Sequence, residues 1–442
     1  MPELVEILAD SNPWWANRGF KSGIKREKYV TKIIKYLEGG ELVVLDGIRR
    51  SGKTTLLYQT VRELIETEKT PISSISTISP EKILFVDFEN PIFNFLENPL
   101  RNVLETYKRD ICSEKGTVLI FDEIQNIPGW EEEIRVLQEK KEHRIILSVS
   151  SARLLDCKLS VLTGGEGYRK VPVYPLDFSE YLLFREFPLE DSLKNPEALE
   201  ESKYRIMNLL KTYLNEGGFS RVALEKDENI KKEHLLAYFD SIMYRDIVLQ
   251  SEVRNARVLQ ELVHHFLANF TAPYSYRKLG KFLKLDFSTL KEYIYYTEQA
   301  KLLFEAQHFN PSGKTGGRKN KKIYCIDNGL RNSASFTGSE SEGKLAENLV
   351  FLELRRKGHE ASYWEGSRGE VKFVIRNKDG SLCAINVSYK DRPEKAEIKA
   401  LLGFAKTFGP EVKELVLITK DIEKENEGIR YIPLWKWLLK SG

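Results

Sequence analysis

The chain has 442 residues and a net charge of +3, with 68 Lys and Arg against 65 Asp and Glu. That length suits roughly three domains of ~150 residues, and the near balance of charge excludes a chain held on nucleic acid by its overall field, so any such contact must come from a local patch. Four scattered cysteines (Cys112, Cys157, Cys325, Cys383) without a Cys/His cluster argue against zinc or a disulfide framework, and no stretch approaches the ~18 apolar residues of a membrane span.

Residues 1–25 read as a lead-in. The opening MPELVEILADSNPWW has no cationic or long apolar signal segment, so a cytoplasmic protein is expected. Asn12-Pro13-Trp14-Trp15 is expected to anchor on a core, because exposed tandem tryptophan is costly. Arg18, Lys21, Lys25, Arg26 and Lys28 are expected on a solvated surface. Residues 26–38 space their apolar side chains as a helix.

Leu42–Leu45 then reads as a buried strand. It turns through Gly47-Ile48-Arg49-Arg50-Ser51-Gly52-Lys53-Thr54, which is G-x-x-x-x-G-K-T with a strand before and a helix after. Gly47 and Gly52 let the backbone curl until its N–H groups face phosphate oxygens. The helix start adds its positive dipole end. Lys53 is placed to reach the β- and γ-phosphates, and the Thr54 hydroxyl to reach Mg2+. The expected nucleotide-binding set is Gly47, Ile48, Arg49, Arg50, Ser51, Gly52, Lys53, Thr54 and Thr55.

A helix to about Glu66 and a polar loop lead to a second strand, Ile83–Phe88, with Asp87 and Glu89 near its end. A third strand, Thr117–Phe121, ends in Asp122-Glu123. Four apolar residues followed by two acids mark a buried parallel strand that carries carboxylates to its C-terminal edge. Asp122 is the expected Mg2+ ligand, with Thr54. Glu123 is expected to polarise the attacking water, with Lys53 and Asp122 completing the catalytic set. Gly129-Trp130-Glu131 opens a helix, and His143–Ser148 is a further strand ending in hydroxyls. The first ~180 residues thus read as a doubly wound α/β fold with a parallel sheet.

At this point the chain resembles a family of archaeal and bacterial AAA-type ATPases of the STAND/AAA+ class. The resemblance rests on NPWW, GIRRSGKTTLLYQ, LIFDEIQNIPGWEEEIRVL, VYPLDFSEYL, GGFSRV and GKLAENLVFLELRRKG, and covers nearly the whole chain. It implies ATP as the nucleotide, and VYPLDFSEYL as the passage from an ATPase core at 26–185 to a helical lid at 186–255. Two departures stand out. Ser148-Val149-Ser150-Ser151 replaces a Thr-Gly-Ser-Ser strand end. Gly165-Glu166-Gly167-Tyr168 stands where a Gly-Arg pair would supply a charge sensor, leaving Arg169 as its expected substitute.

Residues 256–335 read as a winged helix-turn-helix: a helix at Val258–Asn269, another at Tyr276–Leu283, a third capped by Asp286, and two strands around PSGKTGGRKNKK. The implied partner is double-stranded DNA, with Lys314, Arg318, Lys319, Lys321 and Lys322 on phosphates and the Ser288–Tyr295 helix in the major groove. Residues 336–442 resemble a restriction-endonuclease-like, PD-(D/E)XK, α/β domain. Lys372 stands where an aspartate is required, and Asn386 and Ser388 where an acid and a lysine are. Glu347, Glu370 and Lys390 remain, too few to hold the metal, so nuclease activity is not expected.

Two function classes follow. The first is a Mg2+-dependent ATPase that couples hydrolysis to conformational change and acts on DNA. The second is a slow nucleotide-dependent switch that binds a protein partner or a second copy of the chain.

Overall fold

The computed structural model describes residues 3–66, 77–150, 168–189, 196–311, 320–335 and 342–440, and the chain divides into two units between Val173 and Tyr174. In chain order the first unit contains α1 (Leu4–Ser11), α2 (Glu27–Glu38), β1 (Leu42–Gly47), α3 (Lys53–Glu66), β2 (Ile83–Asp87) and α4 (Pro99–Asp110). These are followed by β3 (Val118–Asp122), α5 (Trp130–Lys140), β4 (Arg144–Val149) and β5 (Tyr168–Val173). All strand pairings are parallel, in the order β2-β3-β4-β1-β5.

The strands read as unbroken apolar runs because both sheet faces are covered. Val44, Val86, Phe121 and Leu147 pack with Leu8, Val103, Trp130 and Ile134 of α1, α4 and α5. Their chain neighbours Val43, Phe85, Ile120 and Ile146 turn the other way, onto Ile33 and Leu37 of α2 and Leu56 and Val61 of α3. Strand alternation therefore feeds two apolar layers from one sheet. The fold is that of a P-loop NTPase core, with β4 inserted between the loop-bearing β1 and the acidic β3.

β2 is an edge strand, and the lead-in covers it. Asn12 imitates a neighbouring strand: its Oδ1 accepts from Phe85 N at 2.7 Å and its Nδ2 donates to Phe85 O at 2.8 Å. The indoles of Trp14 and Trp15 both donate to Ile83 O, at 3.1 and 2.8 Å. An exposed row of strand amides and carbonyls would otherwise template pairing with another chain.

The second unit begins with α6 (Phe178–Phe184), α7 (Pro196–Glu201), α8 (Lys203–Glu216), α9 (Ser220–Leu224) and α10 (Glu228–Ser241), the last continuing as a π-helical stretch, Ile242–Leu249. Asp177 and Glu180 form a capping box at α6, as Asp-x-x-Glu in the sequence would give. Next come α11 (Ala256–Ala268), β6 (Pro273–Tyr274), α12 (Tyr276–Leu283), α13 (Phe287–Gln299), β7 (Leu303–Ala306) and β8 (Lys321–Cys325). The three strands form an antiparallel sheet in the order β6-β8-β7.

After α14 (Asn328–Ala334) and α15 (Glu342–Arg356), a mixed α/β sheet follows. It contains β9 (Ser362–Gly366), β10 (Gly369–Arg376), β11 (Leu382–Ser388), α16 (Lys395–Phe408), β12 (Val412–Thr419), β13 (Lys424–Asn426), β14 (Ile429–Pro433) and α17 (Leu434–Leu439). Its order is β13-β14-β12-β11-β10-β9, parallel across β11, β12 and β14 and antiparallel elsewhere.

Two glycines are dictated by contact rather than by flexibility. A Cβ on Gly218 would lie 2.4 Å from Leu176 O, and one on Gly329 would lie 1.9 Å from Glu216 O. The helix break Glu216-Gly217-Gly218 is thereby seated against the start of α14, where Asp327 accepts from Gly218 N at 2.6 Å and from Leu330 N at 2.8 Å. Arg356 of α15 donates to Pro175 O and Leu176 O at 3.1 and 3.2 Å, which fixes these two residues to the same body.

Candidate nucleotide site

The site assembles at the C-terminal edge of the parallel sheet, where ligands of open α/β folds bind. β1 ends at Gly47, where a Cβ would lie 2.3 Å from Val173 O of β5, so only glycine fits. The loop then curls through positive φ at Arg50 (69°) and Gly52 (95°). Lys53 is buried at the first turn of α3, whereas Thr54 and Thr55 are exposed there.

Thr54 Oγ1 donates to Asp122 Oδ2 at 2.6 Å, which joins the glycine-rich loop to the end of β3 across the sheet. Ser148 of β4 donates to Asp122 Oδ1 and accepts from Glu123 N at 3.0 Å, so one hydroxyl sets both acids. Lys53 Nζ lies 3.1 Å from Glu123 Oε1 and donates to Gly47 O at 3.0 Å. Glu123 Oε2 accepts from Gln125 Nε2, which also donates to Ser150 Oγ at 3.1 Å. Glu123 has φ 51°, an unfavourable conformation for a non-glycine residue and one that clusters at functional sites.

The two adjacent acids are driven apart. Burial, then the neighbouring Glu123 carboxylate, pushes Asp122 up, against hydrogen bonds from Ser148 and Thr54. Burial opposes ionisation of Glu123 too, but the Lys53 ammonium and then the Arg49 guanidinium outweigh it and hold Glu123 below the usual carboxylate range. Neighbouring titratable groups whose environments separate them are the usual sign of acid–base assignment. The oxygens of Thr54 and Asp122 are hard donors suited to Mg2+, which takes one or two protein oxygens and completes its shell with phosphate and water.

Four neighbours of the site escaped sequence reasoning or take on more than it gave them. Arg26 is buried, not a solvated residue: its Nη1 donates to Ser51 O at 3.0 Å, and its guanidinium stacks over Tyr29. The only sequence signal was a helix start beside it. Gln125 brings an amide and Ser148 a hydroxyl; Ser148 belongs to the hydroxyl-bearing strand end read from the sequence, but its bonds to both acids emerge only once β3 and β4 are neighbours. Arg49 is also buried, ion-paired to Glu89 at 2.7 Å, while Arg50 is exposed.

Arg169 cannot replace a missing charge sensor. It aligns with Val43 near the start of β1 and bonds Glu41 at 2.6 Å, at the opposite edge of the sheet from Gly47. Ser151 and Gly165-Glu166-Gly167 lie outside the described residues. Val149 sits in regular strand pairing opposite Asp46, without a positive φ.

The basic-loop expectation needs a correction. Lys314, Arg318 and Lys319 lie outside the described residues, but Lys321 and Lys322 belong to β8 and face inward. Lys321 Nζ bonds Glu305 at 2.5 Å and lies over the Tyr276 ring. Lys322 is buried, 2.5 Å from Glu370 and 3.5 Å from Glu347. Three carboxylates of the chain itself claim these ammonium groups, so neither is free for a phosphate. In the last sheet, Lys372 Nζ stands 3.2 Å from Glu347 and 3.7 Å from Glu397 and donates to Val387 O. Asn386 accepts from Lys372 N at 2.7 Å, so an ammonium and an amide fill the space among these carboxylates. No helix among the described residues is long and apolar enough to cross a membrane.

A P-loop feeding a parallel sheet, with paired acids on the strand two places away, defines an AAA-type P-loop ATPase domain, and residues 40–182 match the AAA domain family. Residues 207–341 and 342–437 match two families described only as domains of unknown function. Two relatives are similar along almost their whole length. An uncharacterised protein of Methanocaldococcus jannaschii is 29% identical over 94% of this chain and 92% of its own. One of Haemophilus influenzae is 26% identical over 95% of this chain and 100% of its own. Among solved structures, a Walker-type ATPase of Pyrococcus abyssi matches at TM-score 0.42 and 15% identity, over 70% of this chain and 95% of that one.

Proposed function

We propose that the first unit binds ATP with Mg2+ and hydrolyses it, and that hydrolysis drives a conformational change in a protein acting on DNA. The observation that carries this reading is the 2.6 Å bond from Thr54 to Asp122, which brings the phosphate loop and the acidic strand end into one site. The loop from Gly47 to Thr55 cradles the phosphates with its N–H groups, and Lys53 neutralises the β- and γ-phosphates. Thr54 and Asp122 would hold Mg2+, which would supply positive charge beside the phosphate oxygens. Glu123, kept anionic by Lys53, orients the attacking water and takes its proton. In this reading residues 186–255 form a lid, 256–335 a winged helix, and 336–442 a nuclease-like domain whose metal ligands have been replaced.

Steady-state ATP turnover, with and without DNA, tests this directly. Turnover that DNA stimulates and that both Lys53→Ala and Glu123→Gln abolish supports it. Tight ATP binding with negligible, DNA-indifferent turnover overturns it.

One observation favours the slower switch as a second reading. Both Glu123 oxygens are engaged, one by Lys53 and one by Gln125. Hydrolysis then waits for Glu123 to be released, and Gln125→Ala raises basal turnover severalfold.

A further inference from the structure

The helices α12 and α13 present an outer face that stays exposed among the described residues. Arg277, Lys278, Lys281 and Phe282 lie one turn apart on α12, and Lys284 holds the turn. On α13, Phe287, Lys291 and Tyr295 follow at four-residue spacing, so they form one exposed stripe.

The five cations on this face, Arg277, Lys278, Lys281, Lys284 and Lys291, make no hydrogen bond or ion pair among the described residues. Basic residues close by behave differently, as Lys321 on Glu305 and Lys322 on Glu370 show. The acids of the face are committed internally. Asp286 caps α13, accepting from Thr289 N at 3.0 Å and Thr289 Oγ1 at 2.7 Å, and Glu292 accepts from Tyr296 OH. Five cations against these two acids leave the face net positive, in a chain that is nearly balanced overall.

The same face carries large rings in the open. Phe282 is 69% exposed, Phe287 65% and Tyr295 45%. Phe282 is braced by His265 at 5.5 Å between ring centroids and Phe287 by Tyr276 at 5.3 Å. Phe282 and Phe287 are thus supported from within the protein while most of their surface stays in water, a costly arrangement unless something else covers it.

We propose that this α12–α13 face binds a single strand of DNA, with the five cations on phosphates and Phe282, Phe287 and Tyr295 stacked on unpaired bases. The proposal rests on the DNA reading given above, keeps the Ser288–Tyr295 helix in the contact, and replaces duplex held by the basic loop before β8 with an unpaired strand held on the helix face. Charge complementarity selects a polyanion, and the aromatic rings select its form. A duplex keeps its base faces stacked inside and offers only edges and phosphates, whereas an unpaired strand offers a π-face at every base.

The test is fluorescence anisotropy of the full chain with a labelled strand of about 20 nucleotides and with the duplex of the same sequence, across a salt series. The strand binds more tightly than the duplex, and log K falls against log salt with a slope of about −3 to −4, as five phosphate contacts on a single strand require. Phe282→Ala and Phe287→Ala each weaken strand binding roughly tenfold without changing the slope. Lys281→Glu and Lys291→Glu flatten the slope instead. All four positions are exposed, so the melting temperature and basal ATP turnover stay at wild-type values and report that the variants are folded.

If the strand binds but none of the four variants changes affinity or slope, the contact lies elsewhere; the DNA reading then survives and this proposal fails. Tighter binding to duplex, with the phenylalanine variants silent, also overturns it. Binding to neither form at low salt removes the DNA reading together with the proposal.

Discussion

Lys53 Nζ lies 3.1 Å from Glu123 Oε1, and both side chains are buried. The two side chains, to which the proposed function gives the phosphate and the attacking water, therefore neutralise each other at the loop. Removing either one leaves a buried charge without its partner, at a cost of several kcal/mol. Lys53→Met is accordingly expected to lower the melting temperature of the nucleotide-free protein, and Lys53→Met/Glu123→Gln to recover most of the loss. Neither variant hydrolyses ATP. Thermal melts paired with turnover assays separate the two effects; a double variant no more stable than the single one shows that the ion pair does not hold the loop.

The buried ion pairs of Lys322 give a second prediction. Its ammonium links β8 to Glu347 on α15 and Glu370 on β10. Lys322→Met keeps the stem and removes the charge, and is expected to cost about 3–5 kcal/mol. Adding Glu370→Gln recovers part of this, because fewer uncompensated carboxylates remain. Urea denaturation measures both; additive losses in the double variant would show that the pair is not coupled.

The β1 loop, the acids of β3 and the alternation of the sheet were legible because each is local: glycine spacing, apolar runs and terminal carboxylates are written in consecutive residues. The same holds for the helices at Tyr276–Leu283 and after Asp286. Pairing across long separations was not legible. Lys322 reads as part of a basic run, and only the fold reveals that Glu347 and Glu370 await it. Arg26 reads as one surface cation among five until Ser51 is seen beside it. Arg169 is adjacent in sequence to the missing sensor, but strand direction carries it to the far edge of the sheet.

Burial makes Glu298 a pH-dependent weak point. It is pushed up to about 7, chiefly by burial and further by the Glu305 carboxylate, although Glu305 N donates to it at 2.8 Å. A carboxyl raised in the folded state binds its proton more tightly there than in the unfolded chain. Its stabilising contribution is complete below the unfolded value of about 4.3 and is lost as pH rises through about 7. Glu298→Gln keeps an acceptor for Glu305 N and removes the ionisation. The variant is expected to melt a few degrees above wild type at pH 8, and the gap to close towards pH 4.5. A gap that is constant across this range would show that Glu298 is not the titrating group.

The seating of the Glu216-Gly217-Gly218 break on α14 supplies the last prediction. A methyl group at Gly329 would meet Glu216 O at 1.9 Å and the backbone beyond it, and neither is the yielding end of a side chain. Its φ is not positive, so the penalty is one of contact alone and not of backbone preference. Gly329→Ala must therefore part α14 from α8, which also pulls Asp327 away from Gly218 N, a 2.6 Å bond to a buried carboxylate. The expected loss is about 3 kcal/mol or more, the range of strained core insertions together with a broken buried hydrogen bond. Gly19→Ala is the control, because a Cβ there meets nothing within 4 Å. Hydrogen exchange should locate the loosening at residues 213–222 and 327–334, and amides of β1 and β3 should keep their protection. Equal exchange in both units would show that the break does not act as a local clamp but reports the stability of the chain as a whole.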